Sequence, residues 1–535
     1  MISACRVWVL LSVPCLLWAL VLLWGPAFWG LVFDDTFYYA QIARNLSTGL
    51  GPTFDGFHPT NGFHPLWLGA CTALFALGLD GDAAIRAMLL LQVPMLAGGL
   101  GMGWVVLTRT RTRRAPDVER AIGVTVLALL LVAAGSKDLV KLWINGLESG
   151  LVLLLQTALL AVAARGNLLD PHARRSRLLV GALLAGAFLA RTDAALLLPA
   201  IALWALPRFR RAPGPTARAL VELLLTPSIV VLAFMAFNQA WMGYPVQVSG
   251  MLKSAPLDGW RGTGAVLVML APWIVARRLP HAKNLHLGRL VARTGFQGIF
   301  SALLVTWYVC LGRFPRLWYF GPVAAWLLLV AGAGLADLLA RAASENPDVS
   351  AGKAVRPLQL LFGGLGLLVV GHGVLGLTRL DSASPLLANR EAALHIARTL
   401  PPDAVLASWD AGVLGFYARR PVVNLDGVVQ SGKFLRSLSQ GTTPDLLAPV
   451  PIGWIANHAD QDDGPDHLQR LARRSLGPRA DPLTLVGRWP FSVRASINGA
   501  MPVAHRMEVL LLALPGTTIP EAAWALPERA TTDRG

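Results

Sequence analysis

Between residues 7 and 378 the chain is a succession of apolar runs separated by short polar loops. The runs are about 15 to 25 residues long, the length at which a helix crosses a hydrocarbon layer roughly 30 Å thick. In lipid the backbone must satisfy its own hydrogen bonds, so such runs have to be helices. Composition agrees. Hydrophobic residues make up 54 % of the 535 residues and charged residues 15 %, against about 25 % charged in soluble domains. That excludes an ordinary soluble enzyme, a disordered chain and a nucleic-acid-binding domain. The formal net charge of +16 does not revive the last of these, because the basic residues crowd into the loops.

Charge then sets the orientation. The first run, Val7 to Val32, follows Arg6 and lacks a small-x-small cleavage site, so it reads as a retained helix and not a signal peptide. Cys15 sits in a poor lipoprotein box. Ten further runs follow at about 84–107, 121–135, 149–164, 178–191, 194–207, 219–238, 262–276, 295–312, 319–340 and 357–378, for about eleven transmembrane helices. Five loops (108–120, 165–177, 208–218, 277–294 and 341–356) carry 21 Lys and Arg residues, and the membrane-proximal segments of the other side carry nine. Positive charge marks the cytoplasmic side. The N-terminus is therefore expected in the cytoplasm, with residues 33–83 and 379–535 outside. Leu66 to Leu79 is too short to span and is expected as a half-buried helix on the outer face.

The expected domains are a transmembrane domain, 1–378, and an extracytoplasmic C-terminal α/β domain, 379–535. In the latter, Arg390 to Leu400 reads as a helix ended by Pro401-Pro402. Val405 to Ala407, Val413 to Tyr417 and Pro421 to Leu425 read as short strands. Trp409-Asp410-Ala411-Gly412 and Asn424-Leu425-Asp426-Gly427 read as turns. His395, His458 and His467 are scattered and expected at the surface, and residues 515–535 read as a loose end. The four cysteines imply no disulfide framework. No internal repeat is visible.

The first outer loop carries the most chemistry. It runs from Asp34-Asp35-Thr36-Phe37-Tyr38-Tyr39 through His58-Pro59-Thr60-Asn61-Gly62-Phe63-His64-Pro65-Leu66-Trp67. Adjacent carboxylates at the start of a helix serve as a cap. At a membrane surface they also serve as a general base or as metal ligands. The spacing leaves these readings open.

An acidic pair after the first transmembrane helix, an aromatic helix and a His-Pro-Leu-Trp entry to the next apolar segment are similar to the GT-C class of membrane glycosyltransferases. That class includes the protein O-mannosyltransferases, aminoarabinose transferases and arabinofuranosyltransferases, and the loop looks like a bacterial, family 39-like branch. The resemblance is close over Asp34 to Trp67 and architectural elsewhere. It implies transfer of a sugar from a polyprenyl-phosphate donor to an extracytoplasmic envelope glycan, lipid or protein, in a bacterial plasma membrane. It also implies single displacement with inversion, with Asp34 as base and Asp35 as its neighbour. No cofactor is implied, and a divalent ion such as magnesium or manganese stays an open alternative, with His64, Glu148 and the acidic pair as its ligands.

Other polar residues fall on the same outer face in this topology: Glu148, Arg191, Asp193, Lys253, Arg313 and Arg316. Charged residues at membrane depth tend to mark sites. Each also has a plainer reading, as a helix-end charge, a neutralised pair or an interfacial anchor. With Tyr38, Asn61 and His64 they form the expected substrate-binding set, one of the cations serving the leaving phosphate. Two other functions share the architecture: a transporter or flippase of lipid-linked saccharide, and a non-catalytic envelope assembly protein. A transporter favours repeated halves and broken helices, and no such pair of halves is visible in the sequence.

Overall fold

The computed structural model describes residues 4–23, 27–110, 116–253, 285–311, 316–345, 385–460, 464–495 and 503–524. The membrane part opens with ten helices: α1 (Ala4–Leu23), α2 (Asp34–Ser47), α3 (Pro65–Ala76), α4 (Gly81–Thr110), α5 (Pro116–Gly135), α6 (Lys137–Lys141), α7 (Ser149–Ala163), α8 (Arg174–Ala190), α9 (Leu197–Phe209) and α10 (Pro213–Met242). The apolar runs set these boundaries to within a few residues. The expected single first run is α1 followed by a 3-10 turn at Ala27–Gly30.

Among the described residues four helices are long and apolar enough to cross a membrane: Gly81–Thr110, Thr192–Phe209, Pro213–Met242 and Leu317–Arg341. A fifth is obtained if His286–Thr294 and Phe296–Val309, which meet at 73°, make one broken span. Val7–Leu23, Ile122–Gly135 and Ser149–Ala163 are apolar but shorter. The expected spans 262–276 and 357–378 lie outside the described residues. Helix α10 is the most exposed of the long helices. Val221, Leu225, Ile229, Leu232 and Phe237 are all over half exposed on it, as a lipid-facing surface requires.

Helix α3 is short, as its 12 residues allow. It begins at Pro65, where a missing N–H costs nothing. Helix α2 begins with both aspartates in its first turn, where carboxylates offset the helix dipole. Its capping, however, comes from Thr36. The Thr36 hydroxyl accepts from Phe33 N at 3.2 Å and donates to the Asn145 carbonyl at 2.8 Å. Gly146 follows at φ 79°. A side chain there would collide with the methyl of Thr36, so glycine is required twice over.

The C-terminal region holds a five-stranded mixed sheet in the order β2-β1-β3-β5-β4. The strands are β1 (Val405–Ser408), β2 (Val422–Asn424), β3 (Ile452–Asp460), β4 (Thr484–Ala495) and β5 (Val503–Ala513). β1 runs parallel to β2 and β3, and the β3-β5-β4 half is antiparallel. Helix Pro385–Thr399 precedes the sheet, as expected. Residues 413–417, expected as a strand, are instead a helix, Gly412–Tyr417, with all six residues buried. A short apolar run buried on every side has no periodicity that separates strand from helix. His395, expected at the surface, is buried with its ring 5.4 Å from that of Trp489.

Candidate functional site

A cavity of about 620 Å³ lies where α2, the 61–64 loop, the 145–148 turn and the α8–α9 junction meet under the C-terminal region. Asp35, Tyr39, His64, Glu148, Arg191 and Asp193 line it. Val428, in the loop after β2, also lines it. The volume is in the range of small-molecule pockets.

Its polar wall is one continuous network. Arg191 ends α8, and its Nη1 donates to Glu148 Oε1 at 2.6 Å. Its Nε donates to Asp193 Oδ2 at 2.7 Å, and its Nη2 to the Tyr308 hydroxyl at 3.0 Å. Tyr308 in turn donates to Asp193 Oδ2 at 2.6 Å. The guanidinium lies 4.7 Å over the ring of Tyr319. Tyr39 donates to Glu148 Oε2 at 3.2 Å and accepts from the His64 amide at 2.9 Å. The His64 ring Nδ1 accepts from the Thr192 amide at 3.3 Å and faces Gln247 Nε2 at 2.9 Å. The ring proton therefore sits on Nε2, 3.6 Å from Glu148 Oε1. Glu148 and Arg191 are both buried. A buried arginine between two carboxylates fixes geometry, and its charge is already matched.

The two aspartates of the pair part company. Asp35 borders the cavity, and Asp34 is not among its lining residues. Asp34 reaches the C-terminal region instead. Its Oδ2 accepts from Gly412 N at 3.0 Å and its Oδ1 from Val413 N at 2.9 Å. The carboxylate is a cap, as spacing allowed, but of a helix 378 residues further along the chain. Burial pushes its pKa up to about 7, with the charges of Asp410 and Asp35 acting in the same direction and the two amides against them.

Tyr38 lines the cavity, and its hydroxyl accepts from Ala411 N at 3.3 Å and Asn424 Nδ2 at 3.4 Å. Asn61 lies outside it. Its amide donates to Asn238 Oδ1 at 2.7 Å and accepts from Val248 N at 3.0 Å, beside a second, apolar cavity of about 360 Å³ against α10. Arg316 is exposed, not a lining residue, and its charge reaches Asp410. Arg313 and the side chain of Lys253 lie outside the described residues.

Sequence reasoning missed Tyr39, Tyr308, Thr192 and Gln247. A signal for the tyrosines existed. The chain has only six, and Tyr38, Tyr39, Tyr308 and Tyr319 all face this cavity. In so apolar a chain, phenol groups gather where hydrogen bonds are needed.

Of the four residues of the metal alternative, Asp34 and Glu148 are already engaged. Both Asp34 oxygens hold amides, and the Glu148 oxygens hold Arg191 and Tyr39. Among the described residues no group of three or more His, Cys, Asp or Glu side chains is arranged to hold a metal ion.

The loops after β1 and β2 are acidic where they meet α2. Burial, together with the charges of Asp410 and Asp35, raises Asp426 to about 7. A hydrogen bond from His458 holds Asp410 below the usual range. For Asp34 and Asp426 the folded value exceeds the usual 3.8. The folded chain thus binds more protons than the unfolded one from about pH 4 to about pH 7, and stability falls as pH rises through that window. Thermal unfolding in micelles should show a midpoint that drops between about pH 4 and about pH 7. Asp426→Asn should flatten the drop, and an unchanged pH dependence in that variant would count against the assignment.

The fold has known counterparts. The chain is similar to the Archaeoglobus fulgidus oligosaccharyltransferase, solved tethered to an acceptor peptide containing the NVT sequon. The two are 11 % identical over 87 % of this chain and 71 % of that one, with a TM-score of 0.52. AglB of the same organism, in complex with an inhibitory peptide and a dolichol-phosphate, aligns over 84 % of this chain and 68 % of that one at 12 % identity and a TM-score of 0.49. ArnT from Cupriavidus metallidurans, in the apo state, aligns over 95 % and 98 % at 15 % identity and a TM-score of 0.46. The chain thus has a GT-C-like fold. No protein-family model and no curated protein matches its sequence.

Proposed function

We propose that the protein is a membrane glycosyltransferase that moves a sugar from a polyprenyl-phosphate donor to a hydroxyl acceptor on the outer face of a bacterial plasma membrane, with inversion. The observation that carries this reading is the cavity itself. It combines a carboxylate, Asp35, with a rigid polar wall, at the junction of apolar helices and an α/β roof. The GT-C-like fold supports it, since the similar archaeal protein is an oligosaccharyltransferase.

In this reading Asp35 takes the base role expected at Asp34. It removes the acceptor proton as the oxygen attacks the anomeric carbon. The bond from that carbon to the phosphate oxygen breaks, and the phosphate leaves as an anion. Single displacement inverts the centre. Arg191, matched by Glu148 and Asp193, holds the wall. The leaving charge falls to Lys253, Arg313 or Arg316. Cationic side chains suit that task because they stabilise charge as it develops. No step is routed through a metal. The proposal also retains eleven spans, a cytoplasmic N-terminus and an outer C-terminal domain.

Activity in purified protein that vanishes with chelator and returns with magnesium or manganese would reject the metal-free chemistry. Reporter fusions at Ala115 and Val450 test the topology. An extracytoplasmic reporter should be active at Val450 and silent at Ala115, and activity at Ala115 would place the cavity on the wrong face.

A further inference from the structure

We infer that Asp34 is a positioning residue: it fastens helix Gly412–Tyr417, and with it the loops after β1 and β2, as the roof of the cavity. The first amides of a helix have no partner within it. Asp34 supplies one to Gly412 and one to Val413, at 3.0 and 2.9 Å. A carboxylate at a helix start is favoured by the dipole as well as by the bonds. The approach is so close that a Cβ on Gly412 would collide with the Asp34 carbonyl oxygen and lie 2.5 Å from Asp34 Oδ2. Only glycine admits the carboxylate there.

The far end of the same short helix is held independently. Arg44, also on α2, donates to the Phe416 carbonyl at 2.8 Å and lies 4.0 Å over the Phe416 ring. It also pairs with Asp80 at 2.5 Å, and Arg419 reaches the other oxygen of Asp80 at 2.7 Å. Tyr417 donates to Asp82 at 2.7 Å. Just before the first end, Tyr38 receives the Ala411 amide. Helix α2 therefore works on two sides. Successive helical residues project about 100° apart, so Asp35 and Tyr39 turn to the cavity while Asp34 and Arg44 turn to the roof. The roof matters to the cavity because Val428, in the loop after β2, lines it.

The activity part of this inference rests on the glycosyltransferase reading, and the structural part does not. Hydrogen–deuterium exchange on the full-length protein in micelles separates them. Asp34→Asn should speed exchange of the Gly412–Ala418 amides by about tenfold, the equivalent of one charge-assisted bond, and Asp35→Asn should leave them unchanged. Unaltered exchange in Asp34→Asn would overturn the inference whatever the activity. In the transfer assay Asp34→Asn should raise the acceptor KM, keep kcat within about threefold and retain the acidic limb of the pH profile. A fall in kcat of about 10²–10⁴ with loss of that limb would make Asp34 the base. Gly412→Ala, whose added methyl crowds both the carbonyl and the carboxylate of Asp34, should also speed exchange of the Gly412–Ala418 amides. A wild-type protein that transfers no sugar would remove the proposed function and leave the exchange result to decide the latch.

Discussion

Asp35→Asn should lower turnover by about 10²–10⁴-fold, the usual contribution of a positioned general base. Asparagine keeps the shape and cannot accept the proton. Donor binding should persist, because the polyprenyl tail and the phosphate contacts do not involve this side chain. The effect should therefore fall on kcat. Glu148→Gln is the informative neighbour. It lines the same cavity, but both its oxygens serve Arg191 and Tyr39. Its loss should weaken the wall and shift KM along with kcat. An Asp35→Asn protein with full turnover would remove the base from this account.

Arg191→Ala should destabilise the fold by about 3–5 kcal/mol, the cost of stripping one partner from a buried ion pair. Glu148 Oε1 and Asp193 Oδ2 now lie 2.6 and 2.7 Å from the guanidinium. Without it two carboxylates face each other across a buried gap, and the stack on Tyr319 is lost too. Denaturation in micelles would read the loss directly. Adding Glu148→Gln should recover part of it, because one of the opposed charges is then gone. A change below about 1 kcal/mol would mean the cluster behaves as a solvated pair, which its burial argues against.

Much of the membrane architecture is legible in hydropathy because lipid imposes it. The run expected at 219–238 is the core of α10, Pro213–Met242, and that at 84–107 is the core of α4, Gly81–Thr110. Proline marked the start of α3 at Pro65 as well. Of the residues the expected topology put on one face with Asp34, Glu148 and Arg191 line the cavity, Asp34 does not, and the side chain of Lys253 lies outside the described residues. What the sequence hides are the long-range choices. Asp34 and Asp35 are chemically identical and adjacent, and only the fold shows that one faces a cavity and the other a helix start hundreds of residues away. Val413 to Tyr417 reads as a strand because the carboxylate that caps it as a helix is not nearby in sequence. Arg191 reads equally as a phosphate ligand and as half of a neutralised pair with Asp193, and only the fold adds Glu148 as its second partner. Tyr308 sits within an apolar run, with no local pattern to separate it from a filler aromatic.

The central claim is that this cavity forms a glycosidic bond. The direct test is transfer by the purified full-length protein in micelles, with radiolabelled polyprenyl-phosphate pentoses and hexoses as donors and an envelope glycan fraction as acceptor. The account predicts labelled product of inverted anomeric configuration, formed by the wild type and nearly lost in Asp35→Asn. Labelled donor that crosses a vesicle bilayer without any new glycosidic bond would contradict it and make the protein a transporter.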